Sequence, residues 1–93
     1  MIKRGKPGKD GRCRVTFTLP LGEPAGPVSV VGSFNEWDPT AHPLVTRSNG
    51  MRSAVVTVPA GTDLHFRYLG EGGLWFDDED ADSVDEVGGR INV

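Results

Sequence analysis

A small all-β sandwich is the fold class that this sequence predicts. Two stretches alternate apolar and polar residues with period two: Cys13, Val15, Phe17 and Leu19 against Arg12, Arg14, Thr16 and Thr18, and later Leu64, Phe66 and Tyr68 against His65 and Arg67. Turn chemistry separates short β-rich runs, most clearly Asn49-Gly50 and Gly70-Glu71-Gly72-Gly73. No stretch sustains a helical period, so six or seven short strands with turns between them are expected to pack as two antiparallel sheets.

Taken in order, residues 1–10 combine Gly5, Pro7 and Gly8 with lysines and show no periodicity, which predicts a flexible basic arm ahead of a single domain at 11–93. A half-buried strand follows at 12–19. Pro20, Pro24 and Pro27, with Gly22 and Gly26, make 20–27 a loop. Val28, Val30 and Phe34 recur at every second residue and predict a strand over 28–34. Asn35, Glu36, Asp38 and Pro39 then end it, leaving Trp37 on a rim loop. The β-branched run 51–58 is expected to pair with 44–47 as a hairpin, and 63–69 is the next strand. On the return segment Leu74 and Phe76 share one face and Trp75 the other, so core-facing Leu74 and Phe76 would turn Trp75 outward. The acidic stretch 77–86 is too polar for a strand and reads as a solvated loop. A short edge strand at 90–93 closes the chain.

Composition narrows the function. Ninety-three residues make one domain, with no room for a second, catalytic one. No apolar run is long enough to span a membrane and no secretory leader is readable, so a cytoplasmic address is expected, with no membrane partner. Cys13 is the only cysteine, which rules out an intrachain disulfide and a cysteine-based zinc cluster, and its alternation with Val15 suits a small buried hydrophobe. The net charge of −3 hides an asymmetry: Lys3, Arg4, Lys6, Lys9, Arg12 and Arg14 crowd one end, and Asp77, Asp78, Glu79, Asp80, Asp82, Asp85 and Glu86 the other. These ends are expected to attract. The acidic run lacks the ligand spacing of a calcium loop, and carboxylates clustered on one loop cannot flank a glycosidic bond. With no nucleophile motif, no phosphate-cradling loop and no metal-spaced histidines, no enzyme, cofactor or metal site is expected. An acidic folded part disfavours nucleic acid.

The segment Gly32-Ser33-Phe34-Asn35-Glu36-Trp37-Asp38-Pro39, followed by His42-Pro43-Leu44, resembles the signature of carbohydrate-binding module family 48, the early-set domains of glycogen-branching enzyme, isoamylase and pullulanase. The resemblance continues through Phe66-Arg67-Tyr68-Leu69, the glycine-rich turn, Trp75 and Gly88-Gly89. It implies an immunoglobulin-like (early-set) β-sandwich of about six to eight short strands, and non-catalytic binding of an α-1,4-linked glucan such as glycogen or starch by a module standing alone. A glycogen-metabolising enzyme acting in trans is then a candidate partner. The matching carbohydrate-binding residues are Trp37, Arg67, Trp75 and Asn92, with the tryptophans stacking on sugar rings and Arg67 and Asn92 bonding to hydroxyls. By analogy with base stacking, each aromatic contact contributes about 1–3 kcal/mol. Taken alone, Trp37 suits a core as well as a binding surface, Arg67 suits a solvated strand face, and His42 beside Pro43 suits a structural role.

Three departures from the family pattern stand out. The turn before Trp75 is one residue longer, arginine replaces lysine at 67, and Ile91 stands where an ungapped match puts the asparagine. A one-residue slip exchanges strand faces, so Asn92 fits only if the register shifts. The alternative reading is a protein–protein interaction module on the same sandwich that has lost sugar binding.

Overall fold

Period-two alternation decides which side chains line the space between the sheets. The structure is a computed structural model describing residues 1–22, 26–47 and 49–93. Its strands are β1 (Ile2–Arg4), β2 (Arg12–Pro20), β3 (Val28–Gly32), β4 (Val45–Thr46), β5 (Met51–Pro59), β6 (Asp63–Gly70), β7 (Leu74–Phe76), β8 (Ser83–Val84) and β9 (Gly89–Asn92). One sheet has the order β1-β2-β5-β4, the other β3-β6-β9-β8 with β7 also on β6. All pairs are antiparallel. Setting β7 and β8 aside as parts of the β6–β9 connection, this is the strand order of a constant-type immunoglobulin sandwich, A-B-E-D against C-F-G. The fold is an all-β, immunoglobulin-like sandwich.

The core draws on both inner faces: Val15 and Phe17 of β2, Val28 and Val30 of β3, Val56 and Val58 of β5, Leu64, Phe66 and Tyr68 of β6, and Ile91 of β9. Phe17 is its hub, 4.9 Å from the Phe66 ring and 6.4 Å from Tyr68. With Cys13 buried and single, this apolar contact joins the sheets without a disulfide. No helix among the described residues is long and apolar enough to cross a membrane.

Several expectations need correction. The first ten residues are not a loose arm: Ile2 pairs with Phe17, Lys3 with Thr16 and Arg4 with Val15, and Ile2 packs against the core. Gly5 and Gly8 continue the connection by donating to the carbonyls of Arg14 and Arg12, both at 2.8 Å. The reason is non-local, because β2 offers a free edge and Ile2 an apolar side chain that fits beside Phe17. The strand expected at 28–34 ends at Gly32 and passes into a 3-10 turn, Ser33–Asn35. Phe34 still reaches the core from that turn, stacked 5.8 Å from Phe17. Leu74 is exposed, since it pairs with Gly70 at the end of the sheet. β9 is not an edge, because β6 and β8 flank it. The acidic stretch holds the short strand β8 and a buried carboxylate, Asp78, rather than forming a wholly solvated loop. The middle of the proline-rich connection, residues 23–25, and Ser48 of the hairpin turn lie outside the described residues.

Candidate functional site

The loop carrying Trp37 starts from a backbone too close to its neighbour for any side chain. A Cβ on Gly32 would overlap the His65 carbonyl oxygen and lie 3.1 Å from the Phe66 Cα. Beyond it, Asn35 organises the turn: its Oδ1 accepts from the Gly32 N–H at 3.0 Å, and its Nδ2 donates to the Val30 carbonyl at 3.2 Å and to His42 Nδ1 at 2.9 Å. An amide nitrogen only donates, so His42 Nδ1 is the acceptor and the neutral ring carries its proton on Nε2. The His42 ring meets Phe34 edge-on at 5.5 Å. Glu36 and Trp37 are both left-handed, with φ of 56° and 59°, the only non-glycine residues with positive φ among those described. Two consecutive residues of this kind store strain of about 1–3 kcal/mol each, which the Asn35 network must hold. Trp37 closes the turn by donating to the Gly32 carbonyl at 2.9 Å and remains 37% exposed. Asp38 accepts from the backbone and hydroxyl of Thr40, which hold its carboxyl below the usual range.

Trp75 is placed by register. Leu64, Phe66 and Tyr68 point inward from β6, so Arg67 and Leu69 point outward, and Trp75 stands opposite Leu69, 48% exposed. β7 and β9 lie end to end along the same edge of β6, β7 opposite 68–70 and β9 opposite 63–66. Arg67 faces the break between them. Its Nε donates to Asp77 and its Nη2 to the Glu86 carbonyl, both at 3.2 Å. A Cβ on Gly88 would come within 2.7 Å of the Arg67 Cγ, so the chain closes tightly over this side chain. Arg67 thus ties together both ends of the excursion 77–88.

The excursion is fixed at three further points. Asp78, only 4% exposed, accepts from the Tyr68 hydroxyl at 2.6 Å, from the Asp80 N–H at 2.8 Å and from the Met1 amine at 3.3 Å. Burial, then the bond to Asp78, pushes the Tyr68 phenol far upward, so it stays a donor. Asp82 accepts from the Asn92 N–H at 3.0 Å and from Arg4 at 2.8 Å, which lower its carboxyl in that order of importance. Asp85 is lowered chiefly by the Val87 N–H at 2.9 Å, and also contacts His65 Nε2 at 3.2 Å. The two charged ends of the sequence therefore meet, through Met1, Arg4, Asp78 and Asp82.

Of the four residues matched to the family, Trp75 and Arg67 share the outer face of the second sheet on paired strands. Trp37 approaches from the end of β3, where Gly32 pairs with Phe66, three residues along β6 from Leu69. That separates the two tryptophan backbones by about 10 Å along the strands and about 10 Å across them. Asn92 is also on the outer face, with Ile91 in the core, but it pairs with Asp63, six residues or about 20 Å from the level of Trp75. It lines a separate polar depression of about 310 Å³ with Asp63, Asp82, Ser83 and Arg90. Sequence reasoning missed the tie made by Arg67 and the buried Asp78. The clustering of carboxylates after Phe76, close to the outward Arg67, was the available signal for the first. Among the described residues no group of three or more His, Cys, Asp or Glu side chains is placed to hold a metal ion. Compared with protein-family models and with curated proteins, the chain matches none.

Proposed function

We propose that this protein is a non-catalytic module that binds α-1,4-linked glucan of the glycogen or starch type, with Trp75 and Trp37 as its stacking surfaces. One observation carries the reading. Phe17, Phe66 and Tyr68 form the core and Phe34 and Phe76 pack against it, while the two tryptophans, the largest apolar side chains, lie outside it and exposed. Trp75 and the exposed Leu74 beside it form an apolar surface open to a ligand, and Trp37 keeps more than a third of its surface open. A pyranose ring offers a flat C–H face that an indole covers well, as it would a nucleobase. The strain at Glu36 and Trp37 agrees with an aromatic held in position for a ligand. Arg67 supports Trp75 by closing the adjoining excursion, and Asn92 is too distant to complete the same platform.

Titration with maltoheptaose, followed by tryptophan fluorescence, tests this directly. Trp75→Ala and Trp37→Ala are each expected to weaken binding by about 1–3 kcal/mol while leaving the melting temperature nearly unchanged. A second reading, docking of a protein partner, is favoured by the exposure of Leu74, Val84 and Val87, each about half accessible, near Trp75 and in the acidic excursion. Tryptophan emission indifferent to maltoheptaose at millimolar concentration would overturn the glucan reading in favour of this one.

A further inference from the structure

The outer face of the first sheet, on the opposite side of the sandwich from Trp75, has the reverse electrostatics. The outward positions of its strands β1, β2, β4 and β5 carry Lys3, Arg12 and Arg14 and no aspartate or glutamate, in a chain whose acids outnumber its bases thirteen to ten. Elsewhere the fold pairs its cations, as in Arg4 with Asp82, Arg67 with Asp77 and Arg90 with Asp63. Among the described residues neither Lys3 nor Arg14 has such a partner. The nearby acid in sequence, Asp10, is turned to the backbone, its Oδ1 accepting from the Arg12 N–H at 3.1 Å. Lys3 pairs with Thr16 and Thr16 with Val55 across three strands, and these residues, with Gly5 and Arg14, line a shallow depression of about 340 Å³. Gly5 keeps one wall low, because a Cβ there would press on the Arg14 carbonyl at 3.3 Å.

We propose that this depression is a binding site for a phosphomonoester dianion, held by Lys3, Arg14 and the Thr16 hydroxyl. A lysine on an edge strand is by itself a common guard against edge-to-edge pairing, but Arg14 lies on β2, an interior strand, where that purpose does not arise. Two unpaired cations with a hydroxyl between them supply one planar fork, one compact charge and one neutral donor, which suit the several oxygens and two charges of a phosphomonoester. A carboxylate would leave one positive charge unmatched. The face carries no aromatic residue, so single-stranded nucleic acid has no surface on which to stack. The site is independent of the tryptophan surface and does not rest on glucan binding.

An NMR amide titration at constant ionic strength tests the proposal, with inorganic phosphate, glucose 6-phosphate and vesicles containing phosphatidic acid as separate probes. Phosphate is expected to shift the amides of Lys3, Arg14, Thr16 and Val55 in a saturable way, with affinity rising between about pH 5 and 8 as the second charge forms. Of the other two probes, the one that binds more tightly than free phosphate identifies the natural source. Arg14→Gln and Lys3→Gln should each weaken phosphate binding at least fivefold, with amide spectra confirming that both variants stay folded. Equal shifts with acetate, phosphate affinity unchanged in Arg14→Gln, or no saturable response would each overturn the proposal.

Discussion

The loop that presents Trp37 and the excursion that follows Trp75 both keep an aromatic outside the core, but they are held in different ways. The first is fixed by neutral hydrogen bonds, those of Asn35 to Gly32, Val30 and His42 within its own stretch and one to β6, where the His65 N–H donates to Ser33 Oγ at 3.2 Å. The second is fixed by carboxylates reaching to distant elements: Asp77 to Arg67, Asp78 to Tyr68, Asp82 to Arg4 and Asp85 to His65. A locally tied loop keeps its shape when the surrounding ions change. One tied by charges to other strands keeps it only while those charges and strands are in place, so the module combines a constant support for one tryptophan with a condition-dependent one beside the other.

The contrast can be probed from its strongest point downward. Gly32→Ala removes the shared foundation, since the added carbon meets the His65 carbonyl of β6. Its expected cost is about 3 kcal/mol, read as a large fall in melting temperature that also perturbs β6. Tyr68→Phe leaves the buried Asp78 carboxylate without its closest donor and should cost about 2 kcal/mol. Hydrogen exchange should then quicken chiefly at 77–88, with little change at 33–42. Asn35→Ala should do the opposite at a cost of about 1–2 kcal/mol, loosening 33–42 and altering Trp37 emission while the excursion stays protected. If Tyr68→Phe and Asn35→Ala loosened both segments equally, the two supports would not be separate.

Acid gives the mildest test. Asp82 and Asp85 have carboxyls lowered in the folded state, so their contribution is complete above the unfolded-state value near 3.8 and is lost as pH falls through the lower folded values. Asp38 titrates in the same window but bonds only to Thr40 in its own turn. As pH falls from about 4 toward 2, NMR signals of 77–88 should therefore broaden before those of the Asn35 network. Simultaneous loss of both sets would place the acid sensitivity elsewhere.

The sandwich could be read from the sequence because its signal is local. The alternation in β2 and β6 fixes which side chains face inward, and the same alternation together with the hairpin turn puts Trp75 outside. What could not be read depends on partners far along the chain. Ile2-Lys3-Arg4 has one apolar residue and no period, and becomes a strand only because β2 has an open edge beside it. Nothing in a run of acids shows which one is buried; the Tyr68 hydroxyl selects Asp78 from ten residues away. Arg67 is visibly an outward charge in the sequence, but its engagement follows from two strands sharing one edge of β6, a feature of topology rather than of pattern.

The clasp between Arg4 and Asp82 also bears on the order in which the molecule assembles. Its partners are 78 positions apart, nearly the whole chain. Closing a loop of that length in a disordered chain costs far more than an exposed ion pair returns, so the contact cannot form ahead of the sheets. The adjacent hairpins β4–β5 and β6–β7, with short closures, can form early, and the sandwich must bring the two ends together before they lock. The clasp itself is therefore secured late in folding and released early in unfolding, and its release removes a tie on the segment beside Trp75.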